Sequence, residues 1–221
     1  MSEWGSGTNL AIALAAFLLI WYVAGLHFNR RRGIALFRQV RDSLLPFGGK
    51  ATYRWIGRTA FRMEAVELAS PFVSLSVSVV LEPRETFFLW WAGRLNGRRD
   101  WLVASLKLAG RVASSFEVYH PQRRGAYQVK SEIRDKEWPQ EPLAGRPPLL
   151  CAAPDADGQA LAREVMTILA QREIWRVGLH LEAPHLIISL PVPVTETQST
   201  LPIFASLPQL ARTVLSRGPG H

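Results

Sequence analysis

Three residues near the C-terminal end of the chain are of types that bind metal ions: His180, Glu182 and His185. Imidazole nitrogen and carboxylate oxygen are both common zinc ligands. On a β-strand, His180 and Glu182 would share a face, whereas Pro184 leaves the direction of His185 open. Because no further ligand stands near them, we do not predict a metal site. An enzyme that uses this group on lipid-linked substrates is the weakest alternative function for the chain.

The sequence contains no motif typical of an active site. It lacks the phosphate-binding loop, the dinucleotide-binding glycine pattern, the nucleophile elbow and the zinc-protease motif. The DADG sequence at 155–158 lacks the ligand spacing and closing glutamate of a calcium loop, and is more typical of a helix cap. The single cysteine, Cys151, excludes an intramolecular disulfide. We therefore predict no catalytic residue, no metal and no cofactor, and a protein that is not an enzyme.

An aromatic stretch, TFFLWW at 86–91, is unusual for a protein surface. Five consecutive apolar side chains cannot all face one small core, although large aromatic residues are usually buried. Burial in the core is one alternative, and contact with lipid or a protein partner is the other. The candidate residues of such a contact surface are Phe87, Phe88, Trp90, Trp91, Arg94, Arg98 and Arg99.

The positive charge of the chain is concentrated in one segment. Residues 30–62 contain nine basic residues and one acidic residue, whereas the rest of the chain contains 17 of each. This distribution gives no indication of DNA binding. The arginines either fix membrane orientation and contact anionic lipid at the inner interface, or also bind a polyanion such as ribosomal RNA. The candidate residues are Arg30, Arg31, Arg32, Arg38 and Arg41.

A long apolar run precedes this basic segment. Residues 10–28 predict a transmembrane helix, because at about 1.5 Å per residue they match a bilayer core of about 30 Å. A cleaved signal peptide is the alternative, but no basic residue precedes the run and it ends in LHFNRRRG. The arginines after the run place residues 1–9 outside and residues 30–221 in the cytoplasm. We predict a single-pass membrane protein.

The remaining sequence predicts an α+β cytoplasmic domain, built either as one unit or as two subdomains. Residues 29–62 form the basic juxtamembrane helix and first strand, 63–134 a first α+β half, 135–158 a proline-rich linker or loop, and 159–221 a second half of helix, strand, strand and helix. Predicted helices cover 34–45, 159–172 and 203–216. Predicted strands cover 50–68 with a break at Gly57, 72–81, 100–108, 115–120, 126–133, 174–182 and 185–191.

Several short sequences follow the apolar run in a recognisable order: WIGR at 55–58, RRDWL at 98–102, FEVY at 116–119 and LIISLPVP at 186–193. With the single span and the proline-rich segment, this order resembles the calumin family, single-span subunits with a cytosolic core in the PAT complex of the eukaryotic multipass translocon. The resemblance is closest over 186–215. It implies a cofactor-free chaperone or scaffold for multi-spanning membrane proteins, working beside an insertase at the ribosome exit.

Two features of calumin-like proteins are not found in this sequence, namely a long acidic luminal segment linked to calcium and a highly charged C-terminal coiled coil. Calcium binding is therefore not expected, and ribosome contact would depend on the basic segment. We predict a non-catalytic membrane-anchored factor that assists insertion, folding or assembly of multi-spanning proteins, with an insertase or another multi-spanning protein as partner. The alternative is a permanent structural subunit of one membrane complex.

Overall fold

The computed structural model describes residues 3–123, 125–143, 148–169, 173–192 and 201–216. Its first element is a 42-residue helix, α1 (Glu3–Leu44), which is long and apolar enough near its N-terminal end to cross a membrane. Pro46 ends it in a short 3₁₀ turn, Leu45–Phe47. The two helices predicted at 10–28 and 34–45 are therefore one continuous helix, which begins before residue 10.

Nine strands form one antiparallel sheet in the order β1-β2-β3-β4-β9-β8-β5-β7-β6. The strands are β1 (Lys50–Ile56), β2 (Ala60–Val66), β3 (Phe72–Val80), β4 (Trp101–Leu108), β5 (Phe116–Tyr119), β6 (Gln140–Pro142), β7 (Leu150–Ala152), β8 (Arg176–Leu179) and β9 (Leu186–Pro191). Gly57, with a φ of 70°, lies in the turn between β1 and β2, where the sequence predicted a break.

The other helices are α2 (Phe87–Leu95), α3 (Ala126–Asp135), α4 (Ala156–Ile168) and α5 (Pro202–Ser216). The Asp155 side chain caps α4 by accepting a hydrogen bond from the Gly158 backbone N–H at 2.7 Å. The DADG sequence thus caps a helix, as predicted, and Asp155 is the capping residue.

The main core lies on one face of the sheet. Alternate residues of β2, β3 and β4 are in register across this face, so that Met63, Val77 and Ala104 form one buried row. The C-terminal part of α1 and the helices α4 and α5 contribute buried side chains to the same core. Ser74, Ser76 and Ser78 of β3 lie on the opposite face and are half-buried, as the alternating sequence predicted.

The segment at 126–133 corrects one sequence-based prediction. It forms part of helix α3 and not a strand, because Ala126, Val129 and Ile133 recur at helical spacing and pack against Tyr119 of β5.

Residues 135–158 contain the short strands β6 and β7, so they do not serve only as a linker. The strands β8 and β9 from the second half of the chain lie between β4 and β5 from the first half. The described residues therefore form one continuous sheet rather than two separate sheets.

Candidate membrane and partner interface

One stripe of α1 is buried against the domain, and its N-terminal part is not. Gly25, Asn29, Leu36 and Val40 recur at intervals of three to seven residues along the buried side. Leu10, by contrast, is 72% exposed, and the side chains around it are exposed as well. The apolar part of α1 thus extends beyond the domain, as a membrane-crossing helix would.

A buried ionic cluster holds α1 to the domain; it consists of Asn29, Arg32, Glu82, Arg84 and Asp100. Both oxygens of Asp100 accept hydrogen bonds from the Arg84 guanidinium at 3.0 Å, a bidentate pairing. Arg32 Nε on α1 lies 3.4 Å from Asp100 Oδ2, and the side chains of Arg32 and Asp100 are 4% and 5% exposed. One buried carboxylate therefore balances two cations from different parts of the chain.

The loop at 82–86 is fixed to α1 by further hydrogen bonds. Asn29 Nδ2 donates to the Glu82 carbonyl oxygen at 3.0 Å, and Asn29 Oδ1 accepts from Arg84 Nη1 at 3.0 Å. Trp21 Nε1 donates to the Arg84 carbonyl oxygen at 2.9 Å. Gly25 allows this approach, because a Cβ atom at that position would lie 2.5 Å from the same oxygen. The contact therefore requires a residue without a side chain.

Glu82 is the acidic member of the cluster with the weaker ionic contacts. Its oxygens lie 3.5 Å from Arg84 Nη2 and 3.8 Å from Arg94 Nη1 of α2, and its side chain is 5% exposed. Burial raises the pKa of this carboxyl, and the opposing effect of Arg84 does not fully offset the loss of solvation. The cluster thus connects α1, the 82–86 loop and α2.

The aromatic stretch of the sequence forms α2, which packs against the apolar part of α1. The Phe87 ring lies 5.5 Å from that of Phe17 and 4.9 Å from that of Trp21, both with edge-to-face geometry. The Trp90 ring lies 5.3 Å from Trp21. We call Phe17, Trp21, Phe87 and Trp90 the aromatic contact. It explains how five consecutive apolar residues can be accommodated, because only two of them face α1.

The opposite side of α2 is apolar and exposed. Phe88 is 65% exposed, Trp91 is 54% exposed and Leu95 is 75% exposed, with Leu89 beside them. We call these four residues the exposed face of α2. Single exposed apolar residues are common on proteins, but four on one short helix form a contiguous apolar surface.

The predicted basic residues divide into two groups. Arg30, Arg31, Arg38 and Arg41 are exposed, whereas Arg32 is buried and pairs with Asp100. Arg32 therefore does not face lipid or another polyanion; at 100° per residue it points to the domain side of α1. Arg98 and Arg99 are exposed after α2 and line a cavity of about 310 Å3 with Trp101 and Trp175.

The three residues of metal-binding type, His180, Glu182 and His185, are not brought together in one site. His180 Nε2 lies 3.1 Å from Glu117 Oε1, which also pairs with Arg176, while His185 Nδ1 accepts a hydrogen bond from the Leu108 backbone N–H. Glu182 is exposed. Burial alone would raise the pKa of Glu117, but hydrogen bonds and charge from His180 and Arg176 hold it below its usual range. Among the described residues, no group of three or more His, Cys, Asp or Glu side chains is arranged to hold a metal ion.

Sequence reasoning missed the ionic cluster entirely. One signal was present: Asn29 and Arg32 stand three residues apart at the end of the apolar run, and therefore on one face of a continuous helix. Their partners, Glu82, Arg84 and Asp100, are more than 50 residues away, and no local pattern indicates them.

Comparisons with known proteins give no family assignment. No protein-family model matches the chain, and no curated protein matches it in sequence. The resemblance to the calumin family therefore stays a prediction.

Proposed function

We propose that this chain is a non-catalytic, single-pass membrane protein that assists the insertion, folding or assembly of multi-spanning membrane proteins. The observation that supports this proposal most directly is the position of α2. The aromatic contact places α2 beside the apolar part of α1, and the exposed face of α2 is left free to meet another apolar surface.

We infer where the bilayer would end from the sequence of α1 and from its packing. Between Trp4 and Trp21 no charged residue occurs, and this part of the helix is about 26 Å long at about 1.5 Å per residue. A bilayer core is about 30 Å thick. After Trp21, one side of α1 packs against the loop that holds Arg84 and Glu85. We therefore place the inner boundary near Trp21 rather than at Phe28, with Trp21, Trp90 and Trp91 at the level of an aromatic belt.

The basic residues give the orientation in this proposal. Arg30 and Arg31 are exposed just beyond the boundary, where they would meet anionic headgroups of the cytoplasmic leaflet. The domain that follows would then lie in the cytoplasm. The exposed arginines further along α1, Arg38 and Arg41, are the residues through which a ribosome could be contacted.

The kind of partner follows from the chemistry of the exposed face of α2 and from its depth relative to the proposed bilayer. Its side chains are apolar, and it lies at the inner surface of the proposed bilayer. Another membrane protein, either an insertase or an unfinished multi-spanning client, presents apolar surface at this level. The resemblance to the calumin family implies the same class of partner.

Site-specific photocrosslinking tests this function. A photoreactive amino acid replaces Trp91 in the full-length protein in its own membranes, and crosslinked proteins are identified by quantitative mass spectrometry. Tyr127 on α3, which is 87% exposed, is the matched control position. We expect the Trp91 probe to capture an insertase of the YidC or Sec type together with many substoichiometric membrane proteins, and the Tyr127 probe to capture neither.

Two other outcomes would contradict the proposal. One partner captured at fixed stoichiometry would make the chain a permanent subunit of one complex. Capture of lipid alone would make α2 an anchor without a partner. A companion variant that keeps the probe at position 91 and carries Phe88→Ser with Leu95→Ser should lose the captured proteins while the fold survives, because both side chains are exposed and neither is part of the aromatic contact with α1.

A further inference from the structure

A cavity of about 650 Å3 lies between α1 and the hairpin formed by β1 and β2. One wall is a face of α1 on which Val23, Leu26 and Ile34 supply apolar side chains. The opposite wall is formed by Trp55 of β1, which stacks on Phe37 with ring centroids 6.5 Å apart. The cavity extends along α1 for about 17 Å, at about 1.5 Å per residue between Val23 and Ile34.

Cationic side chains line this cavity. Arg30 of α1 and Arg58 of the hairpin turn line it from opposite sides, and His27 is adjacent. The hairpin turn is held to the helix by a hydrogen bond from Arg58 Nη1 to the Tyr22 hydroxyl at 3.0 Å. The one acidic lining residue, Glu85, already accepts a hydrogen bond from Asn29 at 2.9 Å. The two arginines therefore leave the cavity with an excess of positive charge.

From this arrangement we propose that the cavity binds one anionic phospholipid of the inner leaflet. Arg30 and Arg58 contact its phosphate, while one acyl chain lies along Leu26 and Val23 toward the bilayer. This inference rests on the proposed membrane orientation, in which the cavity lies just beyond the inner boundary. On α1 itself, Val23 and Leu26 lie nearer the span than Arg30, and this order matches that of acyl chain and phosphate in a phospholipid.

Native mass spectrometry of the full-length protein in detergent tests the proposal. The protein is titrated with phosphatidylglycerol and with phosphatidylcholine of the same chain length, and the occupancy of a first bound lipid is measured. We expect phosphatidylglycerol to be retained preferentially. Arg58→Gln should weaken its retention by about fivefold, the effect expected for one arginine near an anionic lipid. Equal retention of both lipids would overturn the proposal.

Matched variants separate the cavity from general surface charge. Arg31→Gln removes the same charge from an exposed arginine that does not line the cavity, and it should retain the lipid like the wild type. Val23→Trp obstructs the acyl path and leaves every arginine in place, whereas Ala24→Trp places the same ring at the same level of α1 on an exposed side that does not line the cavity. If Arg31→Gln matches Arg58→Gln, or Ala24→Trp matches Val23→Trp, the cavity is not the binding site.

The failure of this inference can be told apart from failure of the proposed function. Resistance to carbonate extraction and capture of proteins through Trp91 report on the function. If both are observed but no lipid is retained preferentially, the lipid site is refuted and the function stands. If the protein is extracted by carbonate, the membrane proposal fails and the lipid site fails with it.

Discussion

Asp100 pairs with two cations, the buried Arg32 and the partly buried Arg84. Its carboxylate accepts both hydrogen bonds from Arg84 and lies 3.4 Å from Arg32, at 5% exposure. A buried ion pair adds little compared with an apolar packing of equal volume, but removing one partner leaves uncompensated charge in a poorly solvated place. Asp100 therefore matters mainly because it compensates the charge of the two arginines, and less because the ion pairs add net stability.

We expect Asp100→Asn to lower the free energy of unfolding by about 3–5 kcal/mol, because Arg84 loses its bidentate carboxylate partner and Arg32 loses a carboxylate 3.4 Å away. Thermal and denaturant unfolding of the purified protein in detergent would measure it. Asp42→Asn is the control, since Asp42 pairs with Arg41 on the surface at 35% and 56% exposure and should change stability by less than about 1 kcal/mol. Equal effects of the two substitutions would show that Asp100 does not balance the cluster.

The helix α1 joins two environments without a break. Its buried stripe begins with small and polar residues, Gly25, Asn29 and Gly33, and continues with apolar residues, Leu36 and Val40. The first part accommodates backbone and charged groups of the 82–86 loop, and the second packs on the sheet. Because α1 is one continuous helix, a single element makes both the contact with the loop and the contact with the sheet.

Gly25→Ala should displace the 82–86 loop from α1, because the new Cβ would lie 2.5 Å from a backbone oxygen that cannot move without the loop. We expect faster backbone hydrogen exchange in 82–95, while exchange in β3 and β4 stays slow. Hydrogen exchange with mass spectrometry gives both readings. Gly7→Ala, where nothing lies within 4 Å of the new Cβ, is the control and should change neither region. Unchanged exchange in both variants would show that the loop is not held by this contact.

At the level of elements, the sequence predicted those helices and strands whose apolar residues follow a regular local spacing. The alternation of Val and Ser gave β3, and the spacing of Leu and Ile side chains gave α4 and α5 to within a few residues. The prediction of a strand at α3 was wrong because the apolar residues of this segment are few. Their burial depends on packing against Tyr119 of β5 and Ala152 of β7. The segment that forms α2 had no clear period, since it is apolar on both sides.

The candidate site was predicted less completely than the fold. Composition identified the basic segment and the aromatic stretch, but not which members point inward. Arg32 and its neighbours have identical side chains, and only long-range partners distinguish them. Asp100 lies within the RRDWL sequence, yet its role depends on Arg84 and α1, which no local pattern connects.

The orientation of the whole molecule can be measured by chemical labelling. Cys151 is buried, and burial raises the pKa of its thiol to about 11. It should therefore not react with maleimide in the folded protein. We expect Ser2→Cys, which precedes the proposed span, to react with a membrane-impermeant maleimide on intact cells. Tyr127→Cys, at an exposed position, should react only after permeabilisation. Reaction of both before permeabilisation, or the reverse order, would contradict the proposed orientation.

The order of strands in the sheet has a consequence for how the molecule is made. The strands β1 to β4 form one group and β5, β7 and β6 form another, and these groups do not pair with each other. They are joined only through β8 and β9, which lie between β4 and β5 but are translated after all the others. During synthesis, the apolar helix leaves the ribosome before any of these strands. The two groups of strands cannot be joined into one sheet until residue 191 has emerged. Until then the nascent chain has two unjoined strand edges, those of β4 and β5.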